Sequence, residues 1–208
     1  MKVVHVLYPG FTALDVVGVF QVLAAAPGVD PVFVALAPGT VADDTGHCPL
    51  HAAASFDDVP AADVVVVPGS DTGSEPDAAV MAWLRVVHPR TAWTASVGTG
   101  SICLAAAGLL EGGEAATHWA SAEKLHPFGV RYSDQRVVRH GNVITAAGSS
   151  AGLDMALTLL GLTHGPAVAQ AVQLAIQYDP DPPFDAGSPA KAPAGIGGLV
   201  HDYYALRS

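Results

Sequence analysis

The sequence predicts an α/β domain: a mostly parallel β-sheet covered by helices on both faces. Three observations carry this. The valine run in ADVVVVPGS (62–70) stops at Pro68-Gly69 and has the composition of a strand buried on both faces. β-branched runs alternate with segments of helical period, the pattern of βαβ units. After Val97 the chain turns sharply from a strand into a helix through Gly98-Thr99-Gly100.

The elements follow in order. Residues 2–8 (KVVHVLY) form a β-branched run closed by Pro9-Gly10, hence a buried first strand. Thr12 opens a helix, TALDVVGVFQVLAAA, with Leu14, Val17, Phe20 and Val22 near helical spacing. PVFVALA (31–37) is the second strand, and 38–62 reads as short extended pieces and loops. A helix over 76–87, a strand over 90–97 and the helix GTGSICLAAAGLL come next, then a short helix over 118–125. RVVRHGNVITAA (136–147) reads as a hairpin turning at Arg139-His140-Gly141-Asn142, where glycine supplies a positive φ. Two helices, about 150–162 and 165–177, precede a Pro- and Gly-rich tail from Asp179 that closes on a short helix candidate, GLVHDYYALR. No repeat or linker divides the chain, so a single domain over 1–208 is expected, with the tail from about 179 wrapping it.

Composition narrows the function classes. Half of the 208 residues are hydrophobic and 13% are charged, which excludes a disordered chain and leaves apolar surface for a partner subunit. Nine Lys+Arg against 19 Asp+Glu give a net charge of −10. So few cations cannot neutralise a run of phosphates, so neither nucleic acid nor an anionic membrane is an expected partner. Cys48 and Cys103 are too few for a disulfide framework, and no apolar run approaches the ~18 residues of a membrane span. MKVVHVLYPG lacks the features of a signal peptide, so a cytoplasmic location is expected.

Ligands of open parallel sheets bind at the carboxyl ends of the strands. Three such ends stand out: Pro9-Gly10 to Asp15, Pro68-Gly69 to Gly73, and Val97 to Gly100. The third is an elbow of the kind that lifts a nucleophile above a sheet, yet the residue at its apex is Gly98.

Several segments resemble the ThiJ/PfpI superfamily, and within it the isocyanide (isonitrile) hydratase group. They are YPGFTALDVVGVFQVL, VVVPGSDTG, ASVGTGSICLAAAGLLEG, ATHWAS, RVVRHGNVITAAGSSAGLDMALTL and QYDPDPPFDAGSP, spread over residues 2–189. The resemblance implies a flavodoxin-like three-layer sandwich, no cofactor, a small-molecule substrate and a homodimer. It also implies a mechanism in which an elbow cysteine attacks the isocyanide carbon and a first-helix carboxylate handles protons. Asp15 falls on that carboxylate, Thr99 follows the nucleophile position, and Gly69 and Ser70 face it. The nucleophile position falls on Gly98, so the covalent route is closed to this chain.

Each candidate has a plainer reading. Asp15 could complete a capping box with Thr12, and Ser149 or Ser150 could simply cap a helix after Gly148. Cys103, more than a helical turn past position 98, reads as a buried structural thiol. His47, Cys48 and His51 are too few, and interrupted by Pro49, to make a metal site, so none is expected. His118 and Trp119 read as pocket wall, and VPGSDTG lacks the Gly-Lys-Ser/Thr end of a phosphate loop.

Two functional classes remain. One is a cofactor-free hydratase, lyase or cyclase acting on a small apolar molecule, with Asp15 as general acid/base and the Thr99 and Gly100 amides steadying charge. The other is a pocket that only binds a ligand, in a regulatory or nucleophile-deleted protein; related domains occur fused to helix-turn-helix regions. Gly69, Ser70, Gly100, His118, Trp119, Gly148 and Ser149 form the expected substrate-binding set in either case.

Overall fold

The computed structural model describes residues 1–71 and 78–206. The chain runs β1 (Lys2–Val6), α1 (Ala13–Ala24), β2 (Asp30–Ala35), β3 (Gly39–Val41), β4 (Leu50–Ala52), β5 (Ala54–Ser55), β6 (Val64–Val67), α2 (Ala78–Val87), β7 (Trp93–Val97) and α3 (Gly100–Ala106). It continues through β8 (Glu114–Ala116), β9 (Arg131–Ser133), β10 (Val137–His140), β11 (Val143–Ala146), α4 (Ser149–His164), α5 (Pro166–Ala175) and α6 (Ile196–Ala205).

The main sheet has the order β10-β11-β7-β6-β1-β2-β5, parallel throughout except for the β10–β11 hairpin. Its central strands, β2-β1-β6-β7-β11, have the order of a flavodoxin-like doubly wound sheet. Alternation along the strands splits the core. Val4, Val6, Val65 and Val67 pack with Trp83, Leu84 and Leu104 on the α2/α3 side. Val3, Val64, Val66 and Val97 pack with Val19, Val22, Met155 and Leu159 on the α1/α4 side. Fully burying each such aliphatic side chain contributes roughly 1.5–3 kcal/mol, and because both faces are covered the strands read as unbroken apolar runs. The expected three-layer sandwich is the observed fold.

Details differ from the expectation for local reasons. The buried face of α1 is Asp15, Val16, Val19, Val22 and Leu23, while Leu14 and Val17 lie exposed. That rotation turns Asp15 inward. No capping box forms: the Thr12 hydroxyl donates to Asp44 at 2.9 Å, and the Asp15 amide takes the Thr12 carbonyl instead. α4 starts one residue early, with Gly148 as N-cap and Ser149 inside the helix, so neither serine caps it. The helix expected at 118–125 is a 3₁₀ run, Trp119–Phe128, closed by Gly129 at φ +68°. Strands β8 and β9, three residues each, were too short to show a period. The hairpin turns one residue later than expected, at Gly141-Asn142, with Gly141 at φ +59°.

His5 on β1 is fully enclosed between Phe20 and Phe33, with neither ring nitrogen hydrogen-bonded. Burial pushes its pKa down to about 3. Above pH 6.5 the ring is neutral folded or unfolded and adds no pH dependence. Below 6.5 the unfolded chain takes up a proton that the fold refuses, so stability falls toward pH 3 by up to about 1.4 kcal/mol per unit. His5→Leu should therefore be more stable than the parent by about 1 kcal/mol near neutrality and by an increasing margin down to pH 4.5, in urea unfolding across that range. A margin that stays constant with pH would contradict this.

Candidate active site

The site lies at the carboxyl ends of β1, β6 and β7, where the strand order reverses across β1 and β6. At the end of β7 the backbone makes its elbow. Gly98 has φ +54°, a left-handed conformation that a side chain makes costly. Its N–H donates to Ala146 O at 3.0 Å, and its carbonyl accepts from the hydroxyls of Ser101 (3.0 Å) and Thr117 (3.2 Å). These bonds fix the elbow whatever residue occupies its apex. A Cβ built on Gly98 meets nothing closer than Asp15 Oδ2, at 3.4 Å. A side chain at the apex would therefore point at the Asp15 carboxyl.

Asp15 is 3% exposed. Oδ2 accepts the Gly69 N–H at 2.9 Å, and Oδ1 accepts the Ser149 hydroxyl at 2.6 Å. Burial is the largest influence on its pKa and raises it to about 6, with Asp71 and Asp44 pushing the same way. The two hydrogen bonds favour the charged form and hold the rise in check. Asp15 is thus a carboxyl that changes protonation near neutrality.

Two glycines let these segments meet. A Cβ on Gly69 would stand 2.8 Å from the Thr99 amide and 3.0 Å from Asp15 Oδ2. One on Gly100 would collide with the carbonyl oxygens of Val67 and Pro68. The Thr99 hydroxyl is spent on structure: it accepts the Ser70 N–H at 2.8 Å and donates to Ser70 O at 3.2 Å. What Thr99 can offer a ligand is its N–H, which precedes the first intrahelical bond of α3.

A cleft of about 1160 Å³ opens above the elbow. Of the residues expected in the site, Asp15, Gly69, Ser70, Gly98, Thr99, His118, Trp119, Gly148 and Ser149 line it, whereas Gly100 lies behind it against β6. The loop expected to run from Pro68-Gly69 to Gly73 passes, from Thr72 onward, outside the described residues. His118 sits before the 3₁₀ run. Its Nε2 is 3.5 Å from the Tyr204 hydroxyl, and burial, then His201, lowers its pKa. Trp119 meets His201 edge-on.

Sequence reasoning missed most of the outer wall. Tyr178, Phe184, Lys191 and Tyr204 reach the cleft from the tail, and Arg136 and Asp154 from the body. Arg136 Nε and the Tyr178 hydroxyl both donate to Asp154, at 2.6 and 2.7 Å. No spacing marks these residues; the one available signal was the Pro-rich tail itself. Cys103 is buried as expected. Asp43 gathers the turn before Cys48, accepting the Thr45 hydroxyl at 2.6 Å and the Cys48 N–H at 3.0 Å. Among the described residues no three His, Cys, Asp or Glu groups are placed to hold a metal ion, and no helix is long and apolar enough to cross a membrane.

A flavodoxin-like sheet carrying a strand-to-helix elbow opposite a buried first-helix carboxyl defines a recognisable class. The chain belongs to the DJ-1/PfpI family, whose model matches residues 1–162. It is 39% identical over 199 residues to the isonitrile hydratase of Pseudomonas putida, covering 94% of this chain and 86% of that one. A ThiJ/PfpI family protein from Pseudomonas syringae superposes with a TM-score of 0.91 at 33% identity, over 99% of this chain and 88% of that one. The HTH-type transcriptional regulator CdhR of Pseudomonas aeruginosa is 35% identical over 105 residues, 48% of this chain and 30% of that protein.

The glycines separate structural from functional demand. Gly98→Ala should cost about 1–2 kcal/mol, the price of a left-handed backbone. Gly100→Ala, which forces β6 and α3 apart, should cost more than about 3 kcal/mol. Equal losses in urea unfolding would contradict the elbow geometry.

Proposed function

We propose that the protein is a cofactor-free, isonitrile hydratase-like enzyme in which Asp15 is the general acid/base and no covalent intermediate forms. The observation that carries this reading is the buried Asp15 carboxyl, its pKa pushed up to about 6, set so that a Cβ on Gly98 would stand 3.4 Å from Oδ2. The similarity to the Pseudomonas putida isonitrile hydratase supplies the reaction class.

In this scheme the neutral Asp15 carboxyl donates its proton to the terminal carbon of R–N≡C. Water then adds to the same carbon and returns a proton to the Asp15 carboxylate. The product, R–N=CH–OH, shifts a proton from oxygen to nitrogen and leaves as the formamide R–NH–CHO. Ser149 and the Gly69 N–H hold the carboxyl toward the apex, and the space over Gly98 admits the water. The Thr99 N–H faces the developing oxygen. No step calls on a cofactor. General acid–base action contributes about 10²–10⁴-fold, so positioning in the cleft has to supply the remainder.

The partial similarity to a transcriptional regulator supports a second reading, a ligand-binding pocket without turnover. Formamide release from an aryl or alkyl isonitrile separates the two. The parent should turn over, Asp15→Asn should lose about 10²–10⁴-fold, and kcat/KM should fall tenfold per pH unit above about 6 as the proton donor is lost. Formamide from Gly98→Cys alone would sink the non-covalent scheme, and formamide from neither would favour the binding reading.

A further inference from the structure

The walls of the cleft say what kind of molecule fits it. Five aromatic side chains line it: Trp119, Tyr132, Tyr178, Phe184 and Tyr204. Phe184 is 79% exposed, a large apolar ring presented to the opening rather than to any core. Among the described residues two cationic side chains, Arg136 and Lys191, also line the cleft, and both are paired with carboxylates of the same wall. Arg136 Nε donates to Asp154 at 2.6 Å, and Lys191 Nζ to Asp185 at 2.8 Å. Among the described residues Asp134 and Asp181 add two exposed carboxyls to the wall. His118, with its pKa lowered by burial, brings no compensating charge at neutral pH.

Resting on the hydratase-like reading of the same site, we infer that the substrate is a flat, apolar molecule bearing a protonated amine and no anionic group. A carboxylate or phosphate entering this cleft would have to compete with Asp154 and Asp185 for its two described cations. It would also face the acidic wall, where a concave, low-dielectric surface concentrates the field. An ammonium meets the opposite situation: carboxylates lower its energy, and aromatic faces accept it through cation–π contact. The aromatic walls take up the flat body of the molecule by stacking.

The test needs no turnover. Of the three tryptophans only Trp119 lines the cleft, since Trp83 stacks on Phe56 and Trp93 lies under Arg139. Its fluorescence therefore reports occupancy, with Trp119→Phe as the control and amide chemical shifts as a second readout. The probes are 2-phenylethylamine, 2-phenylethanol and phenylacetate at about pH 7.5, where the amine is protonated. The ammonium should bind on the order of tenfold more tightly than the alcohol at low salt, and phenylacetate most weakly. The gap between ammonium and alcohol should close between about 20 and about 500 mM salt. It should also shrink in Asp134→Asn/Asp181→Asn, whose two sites are exposed. Phenylacetate binding as well as the alcohol, or none of the three perturbing the cleft, overturns the inference. Because binding is read directly, a protein that orders the probes as expected yet makes no formamide refutes the hydratase reading alone.

Discussion

Asp15 accepts one hydrogen bond from Gly69, just past β6, and one from Ser149, in the first turn of α4. Those two bonds tie three separate segments together at the carboxyl end of the sheet. The arrangement is mutual, because the Gly69 carbonyl in turn accepts the Thr12 N–H at 2.9 Å. The elbow at Gly98 is pinned independently, by Ala146, Ser101 and Thr117. The carboxyl and the apex thus stand opposite one another, each held by its own set of hydrogen bonds.

The arrangement is costly to the fold. A carboxyl with a pKa raised to about 6 is one the folded protein prefers to keep protonated. Stability from that preference is present below the unfolded value near 3.8 and is lost as pH rises through 6. Holding Asp15 ionised at neutral pH costs on the order of 2–3 kcal/mol, a considerable share of a typical domain's 5–15 kcal/mol. A structure selected for stability alone would place an amide or an apolar residue there. Strain of this kind is characteristic of a functional carboxyl. His5 carries a comparable burden, with two unpaired ring nitrogens between Phe20 and Phe33, but lies inside the α1 layer away from the cleft residues.

Much of this was legible in the sequence because it depends on local pattern. The valine run marks β6 as a strand buried on both faces, and the Gly-Thr-Gly step after Val97 marks the elbow. Asp15 was identifiable as a candidate site residue, yet of the apolar positions Leu14, Val17, Phe20 and Val22 read from the spacing of α1, Leu14 and Val17 lie exposed. The helix is rotated from that reading because Val19, Val22 and Leu23 face the sheet and α4, a choice that depends on the partner surface and not on spacing. Ser149 shows the same boundary. As a helix-starting serine it suggested a cap, and its bond to Asp15, 134 residues away in sequence, is a tertiary contact that no local rule encodes. The cleft wall contributed by Tyr178, Phe184 and Tyr204 was illegible for the same reason, since a Pro-rich tail carries no periodicity to say where it lies.

The central claim is that Asp15 is a proton donor tuned by burial at the bare elbow. It is tested most directly by titrating that carboxyl itself, following the aspartate side-chain carboxyl carbons by ¹³C NMR with Asp15→Asn to assign the resonance. The account predicts a midpoint near 6, displaced upward from the ordinary 3.8. A midpoint at or below 4 would mean that the Gly69 and Ser149 hydrogen bonds outweigh burial, leaving a permanently charged anchor with no proton to give.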